Sequence, residues 1–276
     1  MRTRTILASV AVLAVVALAG AARADWQSGT FAKWVQMPDL SPMGLDVNAT
    51  WQPSATGGGN FPFVKVLADD FPCQSTGPIT DIHIWGSWLY DEMDPNATFK
   101  LSIHADVPKG VDAPYSHPGA ELWSRVFEPT EYRVVPYATA EENFYDPNTD
   151  KILGPDNQVL QYNFFIDPAL AFEQKGTPER EMVYWLDVQV LTQPGLVFGW
   201  KTSPAHSGDD AVFADTQFFT GPPIGPAPAP VFWKDMFDPR TGESLNMAFA
   251  ITPEPATLCL LGAGVAGLVA RRIRRK

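Results

Sequence analysis

Residues 97–106 read ATFKLSIHAD, so Phe99, Leu101, Ile103 and Ala105 alternate with Lys100, Ser102, His104 and Asp106. A side-chain period of two belongs to an extended strand with one face on a core. The same rhythm runs through Tyr184, Leu186, Val188 and Val190, through Leu160, Tyr162, Phe164 and Ile166, and through Leu245, Met247, Phe249 and Ile251. Further candidate strands lie at 63–67, 79–90, 122–127, 132–137, 196–201 and 211–213. Turn-formers separate them: TGGGN at 56–60, Asp94-Pro95-Asn96, Asp146-Pro147-Asn148 and DPRTG at 238–242. Proline fixes φ, Asn and Asp bond their own backbone, and Gly accepts positive φ. Helical spacing is scarce, and only 169–175 reads as a short helix. About ten short strands broken in this way predict an all-β chain, an antiparallel β-sandwich of jelly-roll type. We place that domain at 60–252, behind an N-terminal arm at 25–59 with a strand of its own. The proline-rich 221–230 (GPPIGPAPAP) reads as a stiff loop inside the domain, because too few residues follow it to build a second one.

The two ends carry a different signal. Arg2 and Arg4 precede an apolar run from Ile6 to Leu18, and Ala22-Arg23-Ala24 supplies small residues at the positions a signal peptidase reads. This predicts a secretory signal peptide over 1–24, cut after Ala24 so that the mature chain starts at Asp25. At the other end, Pro253-Glu254-Pro255 leads into an uncharged stretch, 256–270, and then Arg271, Arg272, Arg274, Arg275 and Lys276. Those 15 positions would make a helix of about 22 Å, against a bilayer core of about 30 Å. Gly262, Gly264 and Gly267 weaken it further. The pattern predicts a marginal, transient transmembrane helix whose basic end stays cytoplasmic.

The order of these parts resembles the PEP-CTERM sorting tail of Gram-negative bacteria over 253–276. The resemblance implies recognition by an exosortase, a membrane-embedded cysteine protease, with removal of the tail and delivery to the cell surface. A second resemblance covers roughly 60–252. Residues 67–89 (LADDFPCQSTGPITDIHIWGSWL), 198–213 (FGWKTSPAHSGDDAVF) and 245–252 (LNMAFAIT) are similar to an uncharacterised domain of exported bacterial proteins with such tails. It implies a β-rich exported domain and offers no catalytic residues to carry over.

Charge narrows the function classes. Of 20 basic residues, three fall in the leader and five in the terminal cluster, which leaves 12 against 31 acidic ones and a formal charge of −19 over 25–270. Nucleic acid would be repelled, and so would anionic membrane surfaces. Cys73 is the one cysteine between the two ends, since Cys259 lies in the apolar tail, so the domain has no internal disulfide. A buried thiol is the plain reading of Cys73.

Candidate chemistry is sparse. At 195–201 Trp200 stands where a P-loop needs glycine before Lys201. Ser203, His206 and Asp209 have the composition of a triad, but one loop would have to aim all three and no G-x-S-x-G elbow is present. His83, His104, His117 and His206 are scattered without zinc-site spacing. Calcium accepts carboxylates from irregular loops, which offers Asp91 and Asp94 (with Glu92 and Asn96), and Asp146, Asn148 and Asp150. Solvated turns are the plainer reading of both loops. Of Trp85, Trp88, Trp123, Trp185 and Trp200, the first and fourth alternate with apolar neighbours and so are expected to face outward, where aromatic rings could stack on sugar.

These observations predict a non-enzymatic exported protein of the cell surface or extracellular matrix, with polysaccharide as a candidate ligand and calcium as a candidate ion. Signal peptidase and exosortase are its expected processing partners. A secreted glycan-active hydrolase and a purely structural matrix protein are the alternatives.

Overall fold

The computed structural model describes residues 25–51, 65–214 and 233–252. The expected leader with Ala22 and Ala24, the turn at 56–60, the loop at 221–230 and the tail from Pro253 onward, Cys259 included, lie outside the described residues. The first six strands are β1 (Trp34–Gln36), β2 (Leu45–Asn48), β3 (Thr50–Trp51), β4 (Val66–Cys73), β5 (Thr76–Ile79) and β6 (Asp81–Trp88). The long central ones are β7 (Thr98–Val107), β8 (His117–Phe127), β9 (Tyr132–Asp146) and β10 (Lys151–Phe165). Then come β11 (Phe172–Lys175), β12 (Met182–Leu191), β13 (Phe198–Ser203) and β14 (Val212–Ala214). The last three are β15 (Trp233–Asp235), β16 (Asn246–Met247) and β17 (Phe249–Thr252).

The strands form two large sheets and one short ribbon. The first sheet runs β1-β17-β6-β10-β9-β2-β13-β16, the second β15-β14-β4-β12-β7-β8, and β5 pairs with β11. The alternating rows of the sequence make the contact between the large sheets. Phe99 of β7 packs at ring distances of 5.0 to 5.3 Å on Tyr162 and Phe164 of β10 and on Phe198 of β13. Phe71 of β4 meets Phe249 of β17 at 6.1 Å. Ile82, Ile84, Leu101, Ile103, Leu186 and Val188 fill the same buried cluster. Burying each such side chain contributes about 1.5–3 kcal/mol. Inside it the Trp88 indole donates to the Tyr162 hydroxyl at 2.7 Å, so that neither polar atom is left unsatisfied.

Three features depart from the expectation of a simple antiparallel sandwich. The stretch 169–175 is not a helix. A single 3-10 turn at Pro168–Leu170, capped by the Asp167 side chain, leads into β11, which pairs with β5. Seven residues cannot offset helix nucleation in isolation, and a ready β partner wins. Pairing is also not wholly antiparallel, because β2 runs parallel to β9 and β3 parallel to β12. Lastly, an additional pairing of β13 with β6 closes part of the first sheet on itself. The closed circuit β6-β10-β9-β2-β13 is a small five-stranded barrel.

That closure needs glycine at the seam. A Cβ on Gly86 would lie 2.4 Å from the Phe198 ring and 2.5 Å from the Gly199 carbonyl oxygen. Close backbone approach of this kind is what a strand glycine permits.

Candidate functional site

Each strand of the closed circuit sends one polar side chain to a common buried point. β2 supplies Asp46, β6 Ser87, β9 Glu142, β10 Asp156 and β13 Lys201, and all five are buried. The register explains the convergence. Lys201 is the cross-strand partner of Asp46, Asp156 that of Glu142, and Gly199, two residues before Lys201, that of Ser87. Residues two apart share a face, so closing the circuit turns these faces toward one another.

Lys201 Nζ lies 3.2 Å from Asp46 Oδ2 and contacts Glu142 Oε2, with no side-chain exposure on any of the three. One oxygen from each of Asp46, Glu142 and Asp156 falls within 4.8 Å of the others. If all were ionised, three carboxylates would face one ammonium, leaving an excess of negative charge in a dry interior. Five oxygens in the cluster have no hydrogen-bond partner: Asp46 Oδ1, Glu142 Oε1, both of Asp156, and Ser87 Oγ. Unpaired buried polar atoms are costly, and unpaired charges more so.

Protonation is one response. Burial pushes Asp156 up to about 8, helped by the nearby Asp46 charge and opposed by the Lys201 ammonium. Burial pushes Glu142 up to about 7, and the Lys201 ammonium opposes that rise. Asp46 is raised by burial in spite of Lys201. Burial acts to lower Lys201, but Asp46 and Glu142 outweigh it and hold the ammonium above its ordinary value. A hard divalent cation would also suit these oxygens, since calcium takes carboxylates at about 2.3–2.6 Å. Here the Lys201 ammonium already supplies one internal cation.

The residues singled out in the sequence lie elsewhere. Trp85 is fully buried, edge-on to Trp26 and Tyr137 at 5.5 Å. Trp185 is fully buried with Val66, Ala68, Val212, Ala214 and Trp233, and its indole donates to Asp106 at 2.8 Å. The expectation of outward, sugar-stacking rings fails for both, because further apolar side chains cover the faces that alternation assigns to solvent. The acidic loops are likewise occupied. Asp91 accepts from the Asn157 and Gln158 amides at 2.9 and 2.8 Å, and Asp94 from the Gln193 and Asn96 amides. Asp146 pairs with Lys65 at 2.7 Å and accepts from the Asn148 amide. The Asn148 amide group donates to the Ala214 carbonyl, and Asp150 accepts from Tyr145. These are hydrogen-bonded turns, and among the described residues the carboxylates close enough to share an ion are Asp46, Glu142 and Asp156.

Ser203, His206 and Asp209 form no triad. Ser203 Oγ accepts from the Ala205 amide, and the Asp209 amide donates to Asp70 at 2.9 Å. Asp25, the expected first mature residue, pairs with Arg133 at 3.2 Å. Cys73 is a buried free thiol.

Residues 252–275 match the PEP-CTERM protein-sorting motif, which spans the predicted Pro253, Glu254 and Pro255 and Arg271, Arg272, Arg274 and Arg275. An all-β body followed by this motif defines an exported, exosortase-processed surface protein. Residues 32–252 match the family described as Domain of unknown function (DUF7901), and the chain belongs to that family. The match begins inside the stretch expected as an arm, whose β2 is part of the barrel. No curated protein matches the chain. Among solved structures, a GH16 protein of the Bacteroides ovatus mixed linkage glucan locus, in complex with G4G4G3G product, has 9% identity and a TM-score of 0.11. The comparison covers 61% of this chain and 98% of that one, and at that TM-score it carries no argument. Among the described residues no helix is long and apolar enough to cross a membrane.

Proposed function

We propose that this protein is a non-enzymatic structural component of the cell surface or extracellular matrix, delivered there through its exosortase-processed tail. One observation carries the reading: the convergent titratable groups Asp46, Glu142, Asp156 and Lys201 are walled in by the five strands of the barrel and exposed to nothing. A glycosidase needs two carboxyl groups across an open cleft, on either side of a bound sugar. Carboxyl groups sealed in a barrel cannot meet a polymer. The buried rings of Trp85 and Trp185 present no stacking platform either. A stabilising role for the cluster suits a domain that must persist outside the cell without a disulfide.

The test uses mature protein from its native host, offered a panel of plant, algal and bacterial polysaccharides. Release of reducing ends would overturn the reading in favour of a hydrolase. Retention on one polysaccharide without turnover would turn it into an adhesin. Silence in both assays, with the protein located on the cell surface, is the expected result.

A further inference from the structure

We infer that Lys201 and Asp46 become joined by an intramolecular amide bond inside the barrel, with Glu142 as the proton acceptor that permits it. The groups required are already in place. Lys201 and Asp46 are direct cross-strand partners on β13 and β2, and Nζ sits 3.2 Å from Oδ2, one bond from the carboxyl carbon. Glu142 Oε2 contacts the same Nζ from the neighbouring strand β9. Asp156 and Ser87 close the cluster with oxygens that have no partner.

In water such a condensation does not proceed, because the amine is protonated, the carboxyl is ionised and solvent competes. Two of these obstacles are weaker here, and for the third, the protonated amine, the Glu142 carboxylate in contact with Nζ is the acceptor. None of the three side chains is exposed. Burial favours the neutral form of Asp46. Held reactants gain effective molarities of about 10⁵–10⁸ M when their geometry is right.

The step balances as follows. The Lys201 ammonium passes one proton to the Glu142 carboxylate and becomes a neutral amine. Nζ attacks the Cγ of protonated Asp46, and the N–C bond forms. The tetrahedral adduct collapses as a C–O bond breaks, and its hydroxyl leaves as water after Glu142 returns a proton and takes the one released by nitrogen. The products are a Lys201–Asp46 amide, a protonated Glu142 carboxyl and one water. No oxidant, metal or activated donor enters.

The consequence fits the chain. The bond would tie two strands whose linked residues are 155 positions apart. Cross-links closing long loops constrain the unfolded chain most. This exported body has a single cysteine, Cys73, and so cannot form an internal disulfide staple.

Tryptic mapping of the full protein, purified from its host and denatured, tests the inference. Uncleaved at Lys201, peptide 181–234 should appear joined to peptide 34–65, lighter by one water than the two together. The Glu142→Gln variant keeps the shape but cannot accept the proton, and it should yield the separate peptides. Three outcomes overturn the proposal: separate peptides in the native protein, linkage to 134–151 (which holds Glu142), or full linkage in the Glu142→Gln variant. Separate peptides together with a melting temperature raised by calcium would assign the cluster to a cation instead.

Discussion

Lys201 and Asp46 stand opposite each other on β13 and β2, and their side chains meet at 3.2 Å in a place neither shares with solvent. Until the amide forms, Lys201 is the cation that faces the three buried carboxyl groups. Lys201→Met, which removes the ammonium and with it the cross-link to Asp46, should lower unfolding stability by at least about 3–5 kcal/mol, the usual cost of removing one partner from a buried ion pair. Urea unfolding of the variant beside the parent measures it. A change below about 1 kcal/mol, the scale of an exposed pair, would mean that the cluster is wet.

The same cluster sets a pH dependence. Burial pushes Asp156 up to about 8 from an ordinary 3.8, and Glu142 up to about 7 from 4.5. Between those limits the folded protein holds protons that the unfolded chain has released, so stability falls as pH rises. Asp70, pushed up to about 8 by burial and by Asp209, adds to the fall. His83 acts in the opposite sense below pH 6.5, because burial lowers it to about 4. The decline should therefore be clearest between pH 6.5 and 8, with a slope of roughly 1.4 kcal/mol per pH unit for each proton involved. Asp156→Asn should make it shallower by about one proton's share, leaving the part due to Asp70. Urea midpoints flat across that window in the parent would contradict the raised carboxyl groups.

How much of this was legible in the sequence depends on range. Strand alternation located β7, β10 and β12, because the pattern that marks the core-facing row is local. It failed on the opposite faces. Lys100, His104, Asp187 and Trp185 alternate out of the core rows and read as solvated, yet all are buried. Lys100 pairs with Glu121 at 2.9 Å, and His104 with Asp187 at 2.7 Å. Those partners come from other strands, so no window along one strand reveals them. The barrel cluster is the same problem at longer range. In FGWKTS, Lys201 alternates with Phe198 and Trp200 and looks like an exposed edge, and Asp46 looks the same in LDVN. Only the β13–β6 closure turns both inward. The tail, by contrast, was readable because its signal is a contiguous order of parts.

Gly199 offers a check on the closure. A Cβ there would fall 2.6 Å from both the Asp46 Cβ and the Phe144 ring. Gly199→Ala should cost about 1–3 kcal/mol through overpacking, and by displacing Asp46 it should also leave peptides 34–65 and 181–234 unlinked. Parental stability in thermal melts, with peptide mapping unchanged, would place the seam elsewhere.

Trp85 separates an interior ring from a binding platform. It packs edge-on to Trp26 and Tyr137 with no exposed surface. Trp85→Ala should therefore cost about 3–5 kcal/mol and should not act through any glycan contact. A variant as stable as the parent would return the ring to the surface.

The last prediction concerns delivery. The sorting motif spans 252–275 and begins at Thr252, the last residue of β17. β17 lies between β1 and β6 in the first sheet, so the body is complete at the residue where the signal begins. Changing Pro253, Glu254 and Pro255 to alanine should leave the fold intact, because the last strand of the body ends at Thr252, before them. Exosortase should no longer recognise the tail. The apolar stretch 256–270 with its terminal arginines would then hold the chain at the inner membrane. Fractionation of the host, with an antibody against the body, measures the result. The variant should collect in the membrane fraction at its unprocessed length while the parent reaches the surface. Normal release of the variant would show that the tail is read by something other than its proline-glutamate-proline signal.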